Sequence, residues 1–193
     1  MICVNAENFY KELVFVINKE ENKREGVRAY QNNSAFTTFI TLIIKKVLES
    51  DCKEIETSLE YYRIDITSWI QRRNEINSQA PHKFHSYLWD LQAAVEHEND
   101  SNDWMDEVIK LAHINCPLRV VIGYLPVGED HQEYIDYVSN AINMLQCPQD
   151  SANEFLLLIG NSKTKVENDY FNYRPYLFKN NNFQLQSDWI IVV

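Results

Sequence analysis

Two stretches constrain the fold of this chain more than anything else in it: Leu118–Leu125, which reads LRVVIGYL, and Glu154–Gly160, which reads EFLLLIG. Successive side chains of a strand point to opposite faces, so a strand with one wet face alternates apolar and polar residues. A run that is apolar at both parities has no wet face. It belongs inside a sheet covered by helices on both sides.

The remaining sequence supplies such helices. Phe9, Tyr10, Leu13, Val14 and Val16 recur at near-helical spacing between Glu7 and Ile17, and a polar stretch from Lys19 to Asn33 ends that segment. Ser34 reads as the N-cap of a second helix running to about Glu49, with Phe36, Phe39, Ile40, Ile43, Val47 and Leu48 on a wide apolar face. The period then changes. Ser58 to Ile70 is rich in β-branched and aromatic residues and reads as one strand, and after a polar loop over Asn74 to Lys83, Tyr87 to Glu98 reads as a second. Trp104, Val108, Leu111 and Ala112 place a third helix before Pro117, and Tyr134, Tyr137, Val138, Ala141, Ile142 and Leu145 place a fourth, ended by Cys147-Pro148. Lys179 to Val193 fits a closing strand after the Asn180-Asn181-Asn182 turn. The order predicts an α/β fold, a three-layer sandwich with a mixed central sheet flanked by helices. A single domain over residues 1–193 is expected, with a core at 34–125, an N-terminal helical segment at 1–33 and a C-terminal helix and strands over 126–193.

Composition excludes several function classes. With 45% hydrophobic residues against 24% charged, the chain can bury enough apolar surface to offset its entropy. No apolar run reaches the ~20 residues of a membrane span, so no membrane association is expected; the longest, Phe36 to Leu48, is broken by Thr37, Thr38, Thr41, Lys45 and Lys46. The N-terminal MICVNAENFYKEL has neither the basic region nor the apolar stretch of a secretory signal, which makes the cytoplasm the expected address. Cys3, Cys52, Cys116 and Cys147 are far apart and read as reduced, mostly buried thiols. The four glycines, Gly26, Gly123, Gly128 and Gly160, form no phosphate-cradling loop. A formal net charge of −10 works against long-range attraction to nucleic acid, whose affinity comes largely from Lys and Arg displacing counterions.

Two acidic clusters sit in strand-like surroundings, where charge is normally unwelcome. Asp65 lies between Ile64 and Ile66 in YYRIDITSW, and Glu96-His97-Glu98 follows the apolar LQAAV. If the strand continues, Glu96 and Glu98 share a face and His97 takes the other. Neighbouring carboxylates repel unless a cation lies between them, and a divalent metal held by one or two carboxylates is the simplest such cation.

An aspartate on one strand followed by a paired acidic motif on the next, with a helix before and an alternating helix–strand region after, resembles the PD-(D/E)XK nuclease superfamily. The resemblance spans roughly Ser34 to Leu125 and implies a restriction-endonuclease-like fold. It implies that Asp65 and Glu96 bind Mg²⁺ or Mn²⁺, with Glu98 standing where the family usually has lysine. Lys110, on the following helix, supplies the displaced lysine, and Glu98 or Lys110 orients the attacking water. Ile64 replaces the family's proline. The implied reaction is metal-dependent phosphodiester hydrolysis in nucleic acid, with Asp65, Glu96, Glu98 and Lys110 at the catalytic centre. The alternative, which the missing lysine and the −10 charge favour, is a catalytically silent nuclease-like scaffold whose acidic surface binds a protein partner or a second copy of itself.

Other chemistry-bearing residues read as structural. His97 points away from the acids by parity, and His82 and His85 lie in a polar loop. Asp90 falls ~20 Å from Glu96 at strand spacing, too far to share an ion. Arg72-Arg73 and Lys45-Lys46 read as solvated faces, Cys116 near His113 as a buried thiol, and Tyr170, Phe171, Tyr173, Tyr176 and Phe178 as a small satellite core.

Overall fold

A computed structural model describes residues 5–50, 54–83, 88–100, 103–145, 152–162 and 171–190. Cys3, Cys52, Cys147, His85 and Tyr170 lie outside the described residues. The chain runs α1 (Ala6–Ile17), α2 (Glu20–Ala29), α3 (Asn33–Ser50), β1 (Ile55–Tyr61), β2 (Ile64–Gln71), α4 (Arg73–Gln79), β3 (Trp89–His97), α5 (Trp104–Ala112), β4 (Leu118–Pro126), α6 (His131–Met144), β5 (Glu154–Ser162), β6 (Arg174–Lys179) and β7 (Asn182–Leu185). It is an α/β protein with one seven-stranded mixed sheet, its strands ordered as they occur in sequence.

The two doubly apolar segments become β4 and β5, paired in parallel in the interior of the sheet. Parallel neighbours need a crossover, and α5 and α6 provide it between β3 and β4 and between β4 and β5. Because the sheet advances in one direction, crossovers of constant hand fall on one face. On that face Trp104, Val108, Leu111, Ile135 and Val138 meet Val121, Leu157 and Ile159. On the other, Phe9, Leu13, Ile40, Ile43 and Val47 from α1 and α3 meet Val120, Ile122, Leu156 and Leu158. Even and odd positions of each central strand therefore feed separate cores.

Four elements differ from the sequence expectation, each for a local reason. The polar stretch after Ile17 contains α2, a charged helix that buries little besides Asn22 and Gly26 and carries an Arg24–Glu20 ion pair at 2.7 Å. The Ser58–Ile70 strand is a hairpin, β1 and β2 joined by the two-residue turn Tyr62-Arg63. Arg73–Gln79 is a short helix within the expected loop. The closing segment is a second hairpin, β6 and β7, and it includes the Arg174–Lys179 strand that its aromatic residues concealed. Among the described residues no helix is long and apolar enough to cross a membrane.

Candidate acidic site at the end of the third strand

Antiparallel pairing of β2 with β3 sets Ile66 opposite Val95, which brings Asp65 beside Glu96 at the carboxyl end of β3. Carboxyl ends of parallel strands are where open α/β sheets place their sites. Asp65 Oδ2 accepts from the His97 backbone N–H at 2.9 Å, and Glu96 Oε2 accepts from the Asp65 N–H at 3.4 Å. Each carboxylate is thus held by the other's strand. Glu96 is 1% exposed, Asp65 half-buried.

From the last turn of α5, Lys110 reaches across to this pair. Its ammonium lies 2.8 Å from Glu96 Oε1, also pairs with Glu107 one helical turn back, and donates to the Arg63 carbonyl at 3.1 Å. One cation therefore ties together the β1–β2 turn, β3 and α5. Glu96 Oε1 and Glu107 Oε2 are buried and accept no well-directed hydrogen bond, so the ammonium serves them as a point charge. Burial pushes the Glu96 carboxyl up to about 8, with Lys110 opposing the rise and Asp65 adding to it. Burial works against the Lys110 charge, but pairing with Glu107 and Glu96 outweighs it and raises that pKa above the ordinary lysine value.

Of the four residues singled out in the sequence, Asp65, Glu96 and Lys110 come together. Glu98 does not join them. The strand ends at His97, so strand parity no longer governs the next side chains, and Glu98 Oε1 turns to accept from the Asp100 N–H at 2.7 Å. Among the described residues, no three His, Cys, Asp or Glu side chains are gathered to hold a metal ion. Glu107 and the Arg63 carbonyl are the participants that sequence reading missed. Glu107 stands three residues before Lys110 on a helix, a spacing that pairs charges, but its relevance depended on where α5 packs.

The opposite face of β3 is sealed. His97 is buried with Nε2 3.1 Å from the Tyr124 hydroxyl, which lies 2.7 Å from the Tyr173 hydroxyl. Burial lowers the His97 pKa to about 3, so the ring is neutral and packs edge-on against Phe36. Asp90 is occupied by Arg72 at 2.7 Å. Cys116 is buried, donates to the Leu118 carbonyl, and is pushed up to about 11 by burial, which withholds the thiolate a nucleophile needs.

Fold and site together define a class: an α/β protein whose mixed sheet carries, at the end of its first parallel strand, an acidic pair of which one member, Glu96, is ion-paired with a lysine. No family model matches the chain, and a search of curated proteins finds no match.

Proposed function

We propose that this protein is a metal-dependent nuclease of the restriction-endonuclease-like kind, hydrolysing phosphodiester bonds with Asp65, Glu96 and Lys110 as its centre. The observation that supports this reading is that β2, β3 and α5 bring Asp65 and Lys110 to Glu96: the Asp65 carboxylate is anchored on the residue after Glu96, and the Lys110 ammonium pairs with Glu96 itself. A cluster placed by three separate elements is harder to attribute to an exposed strand end than any one of its acids alone.

The residues suit a hard divalent cation. The donors are all carboxylate oxygens, which Mg²⁺ and Mn²⁺ prefer, and an ion bound there would share Glu96 Oε1 with the Lys110 ammonium that lies 2.8 Å from it. When bound, the ion would activate a coordinated water and offset charge on the phosphoryl oxygens. Asp65 and Glu96 would hold the ion. The hydrogen bond from the His97 N–H fixes one Asp65 oxygen and leaves the other to ligate. Lys110 keeps the Glu96 carboxylate in place and holds a proton next to the site, where it can orient the attacking water. Glu98 serves the loop.

The test is hydrolysis of labelled DNA and RNA with Mg²⁺ or Mn²⁺. Glu96→Gln and Asp65→Asn are each expected to lower the rate at least about a hundredfold, the scale seen when a single charge-stabilising group is lost. Wild-type protein inert toward every such substrate with both metals would end the proposal.

A further inference from the structure

The fold makes the same two-residue hairpin turn twice, with sequences of opposite character. Between β6 and β7 the turn residues are Asn180 and Asn181, at φ of 52° and 65°. Asparagine suits the left-handed region, because its short amide can hydrogen-bond locally. Between β1 and β2 they are Tyr62 and Arg63, at 54° and 61°, and Glu60, two residues before Tyr62, is also left-handed at 53°. None of these three is Gly, Asn or Asp, and each crowds its Cβ against the backbone. Packing does not repay that strain, since Tyr62 is 65% exposed and Arg63 is exposed too.

What the tip has instead is position. Asp65 follows two residues later, and the ammonium that pairs with Glu96 also holds the Arg63 carbonyl. Strain retained beside a candidate centre is a pointer to function. The side chains also answer the problem set by the net charge. A chain at −10 gains little from many phosphate contacts, whereas stacking of bases on aromatic rings needs no favourable net charge. Tyr62 opens a run of rings: its centroid is 4.6 Å from that of Tyr61, Tyr61 is 5.5 Å from Trp69, and Trp69 is 5.6 Å from Trp89.

We infer that the Tyr62-Arg63 tip is the substrate grip: Tyr62 stacks on an unpaired base and Arg63 holds an adjacent phosphate, which makes the substrate of the proposed nuclease single-stranded nucleic acid. The inference rests on the nuclease reading for the chemistry, while the grip itself acts without metal.

Binding is measured in chelator by fluorescence anisotropy, using a labelled oligo-dT, a duplex of equal length and an Arg/Lys-rich peptide as probes. Wild type should bind oligo-dT at least about tenfold more tightly than the duplex, and Tyr62→Gly and Arg63→Gly should each weaken oligo-dT binding about tenfold. Glycine relieves the left-handed strain, so both variants should melt at the wild-type temperature or up to about 4 °C higher. Loss of binding together with a lower melting temperature would mean a structural turn and overturn the grip. So would unchanged binding in both variants, a preference for duplex, or binding of the basic peptide in place of the oligonucleotide. Cleavage without any effect of the tip variants would sink the grip alone, whereas tip-dependent oligo-dT binding without cleavage would sink the nuclease reading alone.

Discussion

Glu96 is a carboxyl group kept where ionisation is costly, one residue from a histidine kept where protonation is costly, and their titrations have opposite signs. The folded protein holds the Glu96 proton up to about pH 8 while the unfolded chain releases it near 4.5, so this residue's contribution to stability falls as pH rises through that window. His97 refuses its proton down to about pH 3 while the unfolded chain accepts one near 6.5, so its contribution is complete above 6.5 and lost as pH falls. The slopes cancel between 4.5 and 6.5. Metal-free protein should therefore lose about 2 kcal/mol from pH 6.5 to 8, one proton's linkage over that span. Urea unfolding at a series of pH values checks this: Glu96→Gln should be flat over the same range, and a decline that persists in the variant would show that Glu96 is not its source. Lys110→Met removes the charge that opposes the Glu96 shift, so the decline should extend above pH 8, and hydrolysis should fall while the fold persists. Hydrolysis by the Lys110→Met variant at the wild-type rate would remove this residue from the proposed centre.

At the scale of elements, the site depends on how closely α5 lies on the sheet. Gly123 in β4 permits that approach, since a Cβ there would come within 2.6 Å of Trp104, the first residue of α5. Gly123→Ala is expected to cost about 1–3 kcal/mol as an overpacking change. Because it pushes α5 away, it should also weaken the grip of Lys110 on Glu96, so the proposed nuclease activity should fall even under conditions where the variant is fully folded. Circular dichroism melts alongside cleavage assays separate the two effects. The same scale shows what sequence reading could reach. The apolar runs of β4 and β5 and the faces of α1, α3, α5 and α6 were legible, because burial of that much apolar surface forces a period on the chain. The hairpin turn at Tyr62-Arg63 was not, since it contains none of the residues that mark such turns. Neither was α2, whose closest approach to the fold runs through a glycine: a Cβ on Gly26 would meet Phe171 at 2.4 Å.

For the whole molecule, the balance of charge and the proposed metal make a joint expectation. A ligand that binds only the folded state stabilises by about 2.7 kcal/mol at a hundredfold excess over its Kd, or roughly 5–10 °C of melting temperature for a chain of this size. Mg²⁺ or Mn²⁺ should produce that rise in wild type and not in the double variant Asp65→Asn/Glu96→Gln. Calorimetric melts with and without metal decide it, and an equal rise in both proteins would place the ion elsewhere on an acidic surface.

By itself the sequence determined the class of architecture: two strands apolar at both parities admit only a sheet enclosed by helices, and the flanking periodicities supply them. It also singled out Asp65, Glu96 and Glu98, because charge in apolar surroundings carries a cost that needs a reason, while Lys110 came only from the family resemblance. Only the tertiary structure decided which acids meet. Pairing of β2 with β3 joins Asp65 to Glu96, and the seat of α5 brings in Lys110 and Glu107. Glu98 is left out because the strand ends one residue before it, and strand parity cannot show where a strand stops.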